Sequence, residues 1–148
     1  MKIYKISSIL IFSVFLIFVI SCSKNPKPIN FGHDDCDYCK MTISDNRFGA
    51  EVISKQGRIF KFDDMHCVKG FLDDEILPKD NVHSVWLIDF KGSEKLIQAE
   101  NSFLIQNEEL RSPMGGNIAT FETENELKEY QNAYSGTEIK WEDFLNSK

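Results

Sequence analysis

"RFGAEVISKQGRIFKFDDMHCVKGFLDD" occupies residues 47–74 and reads as two strands followed by a helix. Residues 48–54 and 58–62 are rich in apolar and β-branched side chains, and Lys55, Gln56 and Gly57 supply the turn between them. That pattern predicts an antiparallel hairpin. In the second strand Ile59, Phe60 and Phe62 are apolar and Lys61 breaks the run. Asp63 or Asp64 then predicts a helix start, because a short carboxylate accepts bonds from the backbone N–H groups left over at a helix N-terminus. Met65, Val68, Phe71 and Leu72 fall on one helical face, with Cys67 beside it. Gly70 is out of place there, since glycine inside a helix costs ~1 kcal/mol relative to alanine.

Toward the C-terminus the theme returns more loosely. Residues 83–90, "HSVWLIDF", predict a strong strand, and 95–99 and 102–107 predict shorter ones. "SPMGGNIATF" (112–121) reads as a turn-rich passage carrying Met114 between glycines and a proline, off any core face. An amphipathic helix is expected over 123–134, opened by the capping box Thr123 to Glu126 and stopped at Gly136. A last short helix, "WEDFL", is expected to pack Trp141, Phe144 and Leu145 on the core. No exact internal repeat is visible.

In the other direction, Lys2 and Lys5 precede the uncharged run 6–20. That run is shorter than the ~20 residues a membrane-crossing helix needs, so it reads as a secretory signal rather than an uncleaved anchor. Its end, "VISC" (19–22), resembles the lipobox of bacterial lipoproteins, which places residues 1–21 in a signal peptide and an acyl group on Cys22. Acyl chains on Cys22 would hold the protein on a membrane surface, facing the periplasm. Ser23 is the residue type of outer-membrane lipoproteins. Residues 22–32, with two prolines, read as the acylated N-terminus and a flexible tether, and 33–148 as one domain. Loss of Lys2 and Lys5 takes the net charge from −6 to −8. No basic stripe exists to neutralise phosphates, which excludes nucleic acid as a partner.

Four cysteines suggest two disulfides until Cys22 is removed by lipidation; three then remain, Cys36, Cys39 and Cys67. An odd count in an exported protein means a free thiol or a metal. "HDDCDYCKMTI" (33–43) is not a haem attachment site, because Lys40 and not histidine follows the second cysteine. A redox dithiol normally sits between a strand and a helix N-terminus, whereas Cys36 follows the tether directly. A Cys₃His zinc site with His33 or His66 has plausible spacing. Met41, Met65 and Met114 lie near the cysteines or in glycine-flanked turns, and thioether sulfur suits Cu(I) better than zinc. Each methionine taken alone also serves as ordinary core filler. No Gly-rich phosphate loop or nucleophile elbow is present. Asp34–Asp35 and Asp63–Asp64 read as solvated caps rather than an acid–base pair.

Taken together, "CDYCKMTI", "GRIFKFDDMHCVKGF" and "SPMGGNIATF" resemble the successive motifs of the NosL family, over about residues 36–121. These are copper-chaperone lipoproteins of nitrous oxide reductase maturation. Lys40 departs from the pattern, which usually has glycine there. The resemblance implies an α+β fold of two small ββα-type units and a carrier rather than an enzyme. It implies Cu(I) held by cysteine and methionine sulfur, with delivery to nitrous oxide reductase through an ABC-type maturation complex. Mapped onto this chain, Cys39, Met41 and Met114 lead as ligands, then Cys36 and Cys67, then Met65 and His66. A periplasmic C-x-x-C thiol–disulfide oxidoreductase and a structural zinc lipoprotein are the alternatives.

Overall fold

The predicted hairpin forms from β1 (Ala50–Ser54) and β2 (Ile59–Phe62), and α1 (Met65–Asp73) follows directly. The computed structural model describes residues 24–147. The apolar run, the "VISC" junction and Cys22 lie outside the described residues. No helix among those described is long and apolar enough to cross a membrane. After α1 come β3 (Val82–Ile88), β4 (Leu96–Gln98), β5 (Phe103–Gln106) and β6 (Ile118–Phe121). Then α2 (Glu124–Ala133), β7 (Thr137–Ile139) and α3 (Trp141–Asn146) complete the chain. The fold class is α+β.

Two antiparallel sheets carry the architecture, in orders β2-β1-β3-β4 and β6-β5-β7. Each is a ββα unit whose next strand pairs with the first strand of its own hairpin, and the first sheet adds β4 alongside β3. The two units therefore share the ββαβ order despite the lack of a sequence repeat.

Two of these strands escape the sequence pattern. β6 lies at the end of the passage expected as turn, where Ile118–Phe121 pairs with β5 in a register of four residues. The helix ends at Ala133, ahead of Gly136 as expected, and Gly136 then admits the chain to β7. A Cβ at that position would stand 2.7 Å from the Ile105 side chain, so only glycine lets β7 close on β5. Strand β7 itself is short and mostly exposed, which leaves no alternation to read.

Strand pleating sorts the side chains. In the first sheet, Ala50, Val52, Phe60, Phe62, Val85 and Leu87 face α1 and join Val68, Phe71 and Leu72 in the main core. The second sheet turns Leu104 and Ile118 into that same core, where Trp141 also packs. Its other face, with Ile105, Ala119 and Phe121, meets Leu127 of α2 in a second core.

The segment expected as a tether is partly built into the domain. Ile29 is buried, the Lys27 N–H donates to Glu51 Oε2 at 2.9 Å, and Lys61 Nζ donates to the Pro28 carbonyl at 2.8 Å. The ordered body therefore begins upstream of His33, because β1 has both faces covered and something must cover the outer one.

Candidate metal site

The C-x-x-C turn is a knuckle closed by its own backbone. Cys36 N–H donates to the Met41 carbonyl at 2.8 Å, Lys40 N–H to the Cys36 carbonyl at 3.0 Å, and Asp35 bridges Thr42. Lys40 sits at φ +66°, the left-handed region that glycine occupies freely. The departure from the family pattern thus leaves the backbone path intact at a cost of roughly 1–2 kcal/mol.

This knuckle is seated by two neighbours. β2 is an edge strand, and Asp37 pairs with it: Asp37 N–H donates to the Lys61 carbonyl, and Lys61 N–H to Asp37 Oδ2, both at 2.8 Å. Tyr38 lies on α1 at Gly70, and its hydroxyl donates to Asp74 at 2.9 Å. A Cβ on Gly70 would stand 2.6 Å from the Tyr38 ring. The glycine that weakens the helix is the one that lets the loop touch it.

The result brings Cys36, Cys39 and Cys67 together with their sulfurs all within 4.8 Å of one another, unbonded. Cys36 and Cys67 are fully buried and Cys39 is half-buried, so Cys39 is the outward sulfur. The Cys67 thiol donates to Cys36 and brings the Cys36 thiol down to about pKa 5, against the opposing pull of burial. The N–H groups of Asp63, Cys39 and Tyr38 act in the same direction. Cys67 is pushed up as the donor of that bond, and Cys39 is pushed up chiefly by burial. The hydrogen bonds thus favour the thiolate on Cys36 and the thiol on Cys39 and Cys67.

Asp63 and Asp64 are both buried, contrary to the reading as solvated caps. Asp63 has an oxygen with no partner among the described residues, and burial, followed by the charges of Cys36 and Asp64, pushes its carboxyl up to about 6. Asp64 caps α1 by accepting from the His66 N–H at 2.8 Å. Its other oxygen gathers the loop 112–117, accepting from the Ser112 hydroxyl and from the Met114 and Gly116 N–H groups at 3.1 and 3.4 Å. A Cβ on Gly116 would meet Asp64 Oδ1 at 2.4 Å, so the close approach requires glycine.

The remaining sequence candidates fall at different depths. Met65 is buried in the main core that holds Cys36 and Cys67. Met114 is half-buried and packs against that core, a correction to its expected place off any core face. Met41 is 53% exposed beside the knuckle. His66 and His33 are exposed, and neither joins the three cysteines in a common ligand set among the described residues. Sequence reasoning missed Tyr38, Asp64, Ser112 and Gly116 as the residues that seat the loops. Gly70 in mid-helix was the visible sign of the first.

Three adjacent sulfurs, with Cys36 the most acidic, form a compact soft donor set for a thiophilic cation. The NosL family model matches residues 28–147. The crystal structure of the copper chaperone NosL from Shewanella denitrificans shares the fold, with a TM-score of 0.68 over 82% of this chain and 96% of that chain, at 19% sequence identity. No curated protein matches the chain.

Proposed function

The chain belongs to the NosL family, and on that premise we propose that it is a copper chaperone that takes Cu(I) as cargo at Cys36, Cys39 and Cys67. The observation that carries this reading is the cluster of three unbonded sulfurs within 4.8 Å, with one edge accessible through Cys39. Thiolate and thioether sulfur suit Cu(I). The exposed Met41 next to Cys39 offers a neutral, weaker donor for ligand-by-ligand transfer outward. The protein acts as a carrier, with no catalytic step of its own. A thiol–disulfide exchange role is less well served, because the ionised sulfur, Cys36, has no exposure to a partner disulfide.

In this reading the receiver is nitrous oxide reductase, reached with an ABC-type maturation complex. The chain works in the periplasm, acylated at Cys22 and held on the outer membrane. The deciding experiment titrates the reduced protein with Cu(I) against a competing Cu(I) chelator and records X-ray absorption of the loaded form. Sulfur scattering and Cu(I) retention over Zn²⁺ are expected; a nitrogen–oxygen shell or preferential zinc retention overturns the reading. Cys39→Ser should then lower the copper content of co-expressed nitrous oxide reductase. Cys22→Ser should shift the protein out of the membrane fraction.

A further inference from the structure

The second core opens on a groove of about 580 Å³ that holds no cysteine or methionine. Its floor is aromatic. The Tyr130 ring lies 5.5 Å from Phe90 and 5.4 Å from Phe121, and stacks on Tyr134 at 4.8 Å. Tyr134 is 54% exposed, one of three large apolar side chains that stand out to solvent among the described residues.

Charges at the rim do not cancel. Arg47 is held by Asp45 at 2.6 Å, and Lys91 is held by Glu126 at 3.1 Å. Glu109 and Glu129 also line the groove, are exposed, and have no ion-pair partner among the described residues. Two carboxylates outside any ion pair, Glu129 within the field of Lys91, stand at a groove floored by rings and favour a cation with a flat apolar face. Arg47 already displays that mode in the same groove, with its guanidinium 5.7 Å from the Phe90 ring centre. Guanidinium stacks on aromatic faces and donates to carboxylates at once, which a lysine ammonium does less well. The chain's net charge of −6 draws a basic surface from a distance.

We propose that this groove docks a partner protein through an arginine on an apolar segment, its guanidinium on the Tyr130–Tyr134 rings and its N–H groups on Glu109 and Glu129. The groove shares no residue with the cysteine cluster.

The test titrates the purified full-length chain with acetyl-Leu-Arg-Leu-amide and follows backbone amide shifts by NMR. Shifts confined to Glu109, Glu129, Tyr130, Tyr134 and their neighbours are expected, with no binding of acetyl-Leu-Glu-Leu-amide. Glu109→Gln with Glu129→Gln should weaken the arginine peptide at least fivefold, and Tyr134→Ala should do so independently. All three side chains are exposed, so the spectra should otherwise stay those of the folded protein. Absence of binding, equal binding of the glutamate peptide, shifts centred elsewhere, or undiminished affinity in both variants would each overturn the proposal. The readout needs no metal, so its failure leaves the copper reading untouched.

Discussion

Cys36 carries the charge of the thiol cluster, and that has a direct spectroscopic consequence. Its thiol lies near pKa 5 where an ordinary one lies at 9.0. The reduced, metal-free protein should therefore show one thiolate per chain in its ultraviolet absorbance at pH 7, lost with a midpoint near pH 5. Cys36→Ser should abolish the band, whereas a band that survives in that variant would place the charge elsewhere. Because this acid is depressed in the folded state, its contribution to stability is full above the unfolded value of 9.0 and is lost as pH falls through about 5. Asp63 works in the opposite sense. Its carboxyl, raised to about 6 from 3.8, binds its proton more tightly in the folded chain, so stability is lost as pH rises through that window. Asp63→Asn should accordingly stabilise the protein at pH 7 by about 1–3 kcal/mol, an advantage that fades below pH 4. The same change should weaken Cu(I) binding, because a buried anion beside the sulfurs favours a cation. Denaturant melts at several pH values, paired with Cu(I) competition, check both halves. An Asn variant no more stable than wild type at pH 7 would show that the carboxylate is not strained by its surroundings.

Among the elements, α1 is built around an apparent fault. Alanine at position 70 is the better helix former by ~1 kcal/mol, yet its Cβ would stand 2.6 Å from Tyr38. Gly70→Ala should therefore cost a net 1–3 kcal/mol, as overpacking does, and lower Cu(I) affinity by moving the knuckle off Cys67. In a Tyr38→Ala background the same substitution should be neutral or stabilising. A double-mutant cycle by denaturant melts reads the coupling directly. If Gly70→Ala stabilises both backgrounds alike, the loop is not seated there. The hairpin, both long helices and the Thr123–Glu126 capping box were legible in the sequence because each rests on local signals: alternation, helical spacing, a cap three residues from its partner. β6 and β7 were not legible. Their identity comes from pairing with β5, across a turn and across a helix, and four or three residues are too few to carry a period of their own. The three cysteines were legible as a set by count and spacing. Helical spacing placed Met65 on the buried face of α1. The depth of Met114, and the burial of Asp63 and Asp64, depend on which segments close over them, which no local pattern records.

At the scale of the whole molecule, two ββαβ units are fused so that one face of the second unit's sheet lies in the core of the first. Beside the cysteine-bearing helix α1, the two units are joined through a single carboxylate. Asp64 serves α1 with one oxygen and the loop 112–117 of the second unit with the other, which accepts from Ser112, Met114 and Gly116. This loop is stiffened from within as well, since Asn117 N–H donates to Ser112 Oγ at 2.7 Å and Ser112 N–H to Asn117 Oδ1 at 3.0 Å. Asp64→Asn separates the two duties. Asparagine is as good a cap as aspartate, so its oxygen can stay on the His66 N–H. Its amide nitrogen then faces the Met114 and Gly116 N–H groups and accepts from neither, and only the Ser112 hydroxyl can turn to accept from it. Lost charge-assisted bonds at a buried site cost roughly 1.5–3 kcal/mol each, and some of this returns as the loop relaxes toward water. A net loss of about 3 kcal/mol is expected, with hydrogen exchange at the Met114 and Gly116 amides accelerated far more than in the β1–β3 ladder. Freed from Asp64, Met114 should no longer be held against the main core that contains Cys36 and Cys67, and Cu(I) affinity should fall although every cysteine remains. Thr123→Ala is the control, because it removes the cap of α2 at a cost of ~1 kcal/mol without touching this joint. Should the 114 and 116 amides keep their protection in Asp64→Asn, with a stability loss no greater than that of Thr123→Ala, the loop is held by its own turn and the two units are joined elsewhere.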